Sequence, residues 1–63
     1  MRIIHVIIRR DEDAQGHVME SVVGATEDDA EIGIIIDTDR EKIDWNATYR
    51  LEHYDEKGRK VHG

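Results

Sequence analysis

Carboxylates make up most of the reactive inventory of this 63-residue chain. Fifteen Asp and Glu stand against nine Lys and Arg, with four histidines, one serine and no cysteine. Nucleophilic catalysis has little to work with. Ser21 lies in a run of β-favouring residues, without the glycine-rich elbow that would expose its oxygen. Paired carboxylates act as acid and base only where a pocket drives their pKa values apart, and a domain this small has little room for one. The chain therefore reads as non-enzymatic.

Metal sites are equally thin. Asp11, Asp13, Gln15 and Gly16 follow the opening of an EF-hand calcium loop, but its twelfth position, which needs a bidentate glutamate, is Val22. Asp37-Thr38-Asp39 offers two carboxylates to a magnesium ion, yet no phosphate-cradling glycine loop or placed lysine accompanies them, and aspartate favours turns. His5 and His53 fall in expected strands where they could meet across a sheet. His17 opens the next strand and His62 lies near the end of the chain, and no H-x-x-x-H or comparable close spacing occurs. A strand histidine half covered by its neighbours is the simpler reading. No cofactor or metal is expected, and a histidine-dependent metal binder is the lesser alternative.

All fifteen acids lie between Asp11 and Glu56, where only Arg40, Lys42 and Arg50 oppose them. Binding a phosphate backbone needs a basic stripe, so a direct nucleic-acid binder is disfavoured and a protein partner with a basic surface is expected. The candidate contact residues are Asp28, Asp29, Glu31, Asp37, Asp39, Glu41 and Asp44, with Trp45 and Tyr49 added because aromatics anchor interfaces. Acids two apart on a strand are about 6.8 Å apart, comparable with successive phosphates. Pairs such as Asp11/Asp13 and Asp37/Asp39 would then imitate nucleic acid. Plain solubility for the acids and cross-strand packing for the aromatics are the competing uses.

Few elements are available to hold these residues. Arg2 to Arg10 is a nearly continuous apolar run, as in a central strand covered on both faces. A polar loop, Asp11 to Gly16, returns the chain into a second strand, His17 to Ala25, as a hairpin. From Ile43 to His53 every second residue is apolar or aromatic, which predicts a long strand reaching about Tyr54. Glu56-Lys57-Gly58 is a turn, after which Arg59 to His62 folds back as a short edge strand. Residues 26–42 carry mixed signals. Thr26 and the following acids suit a helix start, whereas Ile32, Gly33, Ile34, Ile35 and Ile36 are poor in helix interiors. The pattern favours a short helical turn near 26–31 followed by a strand. The fold expected is mostly β, a single domain over 1–63 with an antiparallel meander of four or five strands. The alternative is an α+β arrangement, ββαβ, with a helix at about 27–38.

A chain of this length buries only about 60% of its unfolded surface, and without cysteine it has no disulfide to compensate. The first strand is apolar on both faces, with Ile4, Val6 and Ile8 against Ile3 and Ile7, and the second repeats this with Met19 and Val23 against Val18 and Val22. Either the sheet closes on itself or a partner covers the remainder, and a homodimer is one form of that partner. The apolar run Ile3 to Ile8 is interrupted by His5, ends in Arg9-Arg10, and falls short of a signal-peptide core or a membrane span. A soluble, cytoplasmic protein is expected.

Length, acidity, absence of cysteine and the acids at 11–13, 27–31 and 37–44 together resemble small phage-encoded inhibitors of the anti-CRISPR and anti-restriction classes. The resemblance implies an inhibitor that occupies a basic, nucleic-acid-binding surface of a larger host-defence complex, acting in the host cytoplasm. It carries no residue roles.

Overall fold

The computed structural model describes residues 2–61. It consists of β1 (Ile3–Glu12), β2 (Val18–Thr26), α1 (Asp29–Lys42), β3 (Thr48–Asp55) and β4 (Lys60–Val61). One five-residue turn, used twice, closes both hairpins. Asp13-Ala14-Gln15-Gly16-His17 joins β1 to β2, and Asp55-Glu56-Lys57-Gly58-Arg59 joins β3 to β4. The Asp13 carboxylate accepts the N–H groups of Gln15 and His17, both at 2.9 Å. Asp55 accepts those of Lys57 and Arg59, again at 2.9 Å. Gly16 and Gly58 take φ of +84° and +81°, the left-handed conformation that other residues enter at a cost of about 1–2 kcal/mol.

Over the described residues the fold is mostly β, with four antiparallel strands in one open sheet and a single helix. Strand order is β2-β1-β3-β4. The apolar first strand is central, and Ile7 at its middle is fully buried. Both neighbours run antiparallel to β1, so β2 and β3 are parallel to each other. Parallel strands need a crossover of a dozen or more residues, normally a helix. That requirement overrides the strand expected over residues 32–36. The segment is helical from Asp29 to Lys42, closer to the ββαβ alternative, and Ile32, Ile35 and Ile36 turn toward the sheet while Ile34 stays exposed. Leaving the helix also shortens the predicted long strand. Residues 43–47 form the connection, β3 starts at Thr48, and Trp45 lies outside any strand. At the other end β4 forms as expected, while His62 lies outside the described residues.

The helix start is built from a hydroxyl and two acids. Asp28 is the N-cap, accepting the Ala30 N–H at 2.9 Å. Thr26 Oγ1 accepts the Asp28 N–H at 3.0 Å and donates to Glu31 at 2.9 Å. The helix lies mainly over β2 and β1 and meets β3 through Tyr49, while its Ile35 packs beside Gly24 of β2. A bulge at Val23, between the pairs Ile7/Gly24 and Ile8/Val22, adjusts β2 at this point and interrupts an otherwise open sheet edge. A β-carbon on Gly24 would lie 2.7 Å from Ile35 Cγ2.

The two helix-proximal glycines therefore have opposite roles. Gly24→Ala should destabilise the chain by about 1–3 kcal/mol through overpacking against Ile35. Gly33→Ala, whose β-carbon would meet nothing within 4 Å, should stabilise it by about 0.5–1 kcal/mol through helix propensity. Urea unfolding of the two variants measures both effects.

Candidate interaction surface

Alternation along β1 sends Ile3, His5, Ile7, Arg9 and Asp11 toward the helix side. Their partners on β3 follow suit: His5 faces His53, Ile7 faces Leu51 and Arg9 faces Tyr49. Two polar ties fix α1 above this row. At the near end His5 Nε2 lies 2.7 Å from the Asp29 carboxylate. At the far end the Arg9 guanidinium donates to both oxygens of Asp39, at 3.0 and 3.1 Å, and the Tyr49 hydroxyl donates to Asp39 at 2.7 Å. Ten helical residues rise about 15 Å and four strand residues about 13 Å. The spacings match, so the two ties hold the helix in one register over β1.

Asp39 and Tyr49, candidates for partner contact, thus work inside the protein. The side chain of Asp39 keeps 13% of its exposure and that of Arg9 keeps 17%. The Tyr49 hydroxyl, and then Arg9, hold the Asp39 carboxyl below the usual aspartate range. Burial, followed by the hydrogen bond to Asp39, raises the Tyr49 phenol above its ordinary value, so it remains a donor. Arg40 stacks over the Tyr49 ring at 5.2 Å. The phosphate-like ladder is absent here. On a helix, residues two apart point about 200° apart, so Asp37 faces solvent while Asp39 faces in. Asp11 and Asp13 form no ladder either, since Asp11 serves Arg9 and Trp45 and Asp13 closes its turn.

The remaining candidates are accessible. Asp28, Asp29 and Glu31 cluster at the helix N-terminus, Asp37 and Glu41 lie on its outer side, and Asp44 follows its end. Trp45 is 51% exposed. Its indole N–H donates to Asp11 at 2.7 Å, and the Arg9 guanidinium stacks against the ring at 5.6 Å. Beside it opens a groove of ≈ 530 Å³ lined by Asp11, Glu12, Asp13, Trp45 and Asn46. Sequence reasoning named Trp45 but not Glu12, because only the fold brings the β1 exit against the connection after α1. A smaller cavity of ≈ 200 Å³ lies between α1 and β2, beside Ile34 and Val23.

His5 and His53 do meet across the sheet. Their Nδ1 atoms lie 2.9 Å apart, one donating and the other accepting, with the rings edge to face. Asp29 occupies the other nitrogen of His5, and among the described residues no group of three or more His, Cys, Asp or Glu is arranged to hold a metal. His62 lies outside the described residues. Among those residues, no helix is long and apolar enough to cross a membrane.

No protein-family model, curated protein or solved structure matches the chain.

Several carboxylates are stabilised in their charged form by the fold. Asp13 and Asp55 are lowered chiefly by the turn N–H groups, Asp39 by Tyr49, Glu52 by the Tyr54 hydroxyl and Glu27 by Arg2. Each contributes stability that is complete above its unfolded pKa, about 4, and is lost as pH falls through the lower folded value. Stability should therefore fall steeply below about pH 4. Asp39→Asn should cost about 1–3 kcal/mol at pH 7 by breaking charged hydrogen bonds. It should also flatten the acid limb, as read from urea midpoints between pH 2 and 7.

Proposed function

We propose that this chain is a non-catalytic protein-binding module that grips a basic protein surface at the end of the sheet where β1 exits. The observation that carries this reading is the half-exposed Trp45 beside a groove walled by Asp11, Glu12 and Asp13. An aromatic face among carboxylates suits an Arg or Lys side chain, which gains cation–π attraction on one side and charge pairing on the other. Arg9 already stacks on the ring from within the chain, the same chemistry a partner would supply on the open side. Asp37, Glu41 and Asp44 extend the negative field around this centre and would speed encounter with a basic partner. In its specific form, implied by the resemblance to phage-encoded inhibitors, the partner is a nucleic-acid-binding surface of a host-defence complex that the module blocks. Attraction here rests on recognition of cationic side chains and not on a copied phosphate spacing.

Trp45 is the chain's single tryptophan, so its fluorescence reports directly on the groove. Titration with a nine-residue oligoarginine peptide should give a saturable change in Trp45 emission that weakens steeply with salt. A Glu41→Lys/Asp44→Lys variant, with unchanged circular dichroism, should bind at least tenfold more weakly. An emission unmoved by the peptide, or equal affinity in the variant, would overturn the proposal.

A further inference from the structure

The face of the sheet opposite α1 has a different character. Register places Ile4, Val6 and Ile8 of β1 on it, beside Val18, Val22 and Ala25 of β2. Ile8 is buried, while Val18 and Val22 remain 45% and 67% exposed. Its charges balance. Arg10, Arg50 and Lys60 are matched by Glu12, Glu20 and Glu52 on the same face, although the whole chain carries −6. Arg50 reaches across β1 to Glu20 at 3.1 Å, and Glu52 takes Arg50 at 3.2 Å and Lys60 at 3.4 Å.

The chain also exposes more surface than its mass requires. Its accessible area is 4763 Å², whereas a folded monomer of this size presents about 4,200 Å². Its radius of gyration is 12.9 Å, against about 10.6 Å for a compact domain of equal length. The excess, about 600 Å² per chain, lies at the lower end of the roughly 600–1,000 Å² that each partner contributes to a standard stable interface.

We infer that this face pairs with the same face of a second copy, about a two-fold axis, to form a two-sheet sandwich with both helices outward. A two-fold interface must be complementary to itself. A neutral face with interleaved charges of both signs and an apolar strip meets that condition, whereas the acidic helix side would repel its own copy. The same neutrality gives a basic partner no reason to settle here. Sheets packed in this way lie about 10 Å apart, so each copy would enclose Val18 and Val22 of the other.

Sedimentation equilibrium tests the pairing independently of any basic partner. The chain should sediment at twice its 7.3 kDa mass at micromolar concentration, with less than a threefold change in dissociation constant between 50 mM and 500 mM salt. Val22→Glu should weaken dimerisation at least tenfold, while Ile34→Glu, on the outer helix face, should leave it intact. Intermolecular NOEs between Val22 and β1 methyls in a mixed-label sample provide a readout that needs no variant. A monomer at ~1 mM, a dimer indifferent to Val22→Glu, or one dissolved by Ile34→Glu would overturn the inference.

Discussion

The clamp formed by Arg9, Asp39 and Tyr49 beneath the helix is the contact on which the rest of the structure depends. Among the described residues only Ile7 and Ile8 count as buried apolar side chains, and burial of two isoleucines supplies roughly 3–6 kcal/mol. A core that small leaves the placement of α1 to directional contacts. Arg9 reaches Asp39 from the central strand and Tyr49 reaches it from β3, so one carboxylate joins three elements. The His5–Asp29 contact repeats the device at the other end. If the far tie were lost, the helix would keep the His5–Asp29 contact at its start and Ile32, Ile35 and Ile36 along its length. Apolar contacts tolerate sliding, so the far end would lose its fixed register.

Legibility in the sequence followed the range of the interactions. The first hairpin, the central place of β1 and its two apolar faces were readable because each depends on residues close in the chain. The Asp-x-x-Gly spacing at Asp13 and Asp55 was visible too, and would have identified both turns as one motif. The helix was not readable from local preference, because Gly33 and four isoleucines argue for a strand. What makes it a helix is topological: β3 pairs with β1 on the side away from β2, and only a crossover allows that. The period of two from Ile43 onward is a real strand signal from Thr48, but its first residues are taken up by the connection that the helix imposes. Charge pattern could not separate Asp37 from Asp39, since both are acids in one acidic stretch and only the helical turn sends the second inward.

The fold also sorts charge in a way that composition hides. A net charge of −6 suggests a uniformly acidic particle, yet the open sheet face is balanced and the excess lies on the helix side and at the strand ends. The two sides therefore answer to different physics. Contacts on the helix side are governed by screening and weaken with salt. Contacts on the sheet face are governed by apolar area, with salt a minor term. The two surfaces meet at Glu12, which lines the groove and shares the open sheet face with Arg10 and Val18.

The helix itself is the weakest element, and that ties recognition to folding. It contains Gly33, Thr38, Asp29, Asp37, Asp39 and four β-branched isoleucines, all below average in helix propensity. A 14-residue segment of this composition would not be helical alone, so its order derives from the caps, the sheet and the Asp39 clamp. Trp45 lies just past its end and is fixed by Asp11, whose other oxygen takes Arg9. The groove and the clamp thus share Arg9. A ligand that binds the ordered groove stabilises the arrangement that holds the helix, by an amount set by its concentration relative to its dissociation constant. Conversely, loosening the clamp frees Arg9, which bonds Asp11 and stacks on Trp45 behind the groove, so affinity falls by the same linkage.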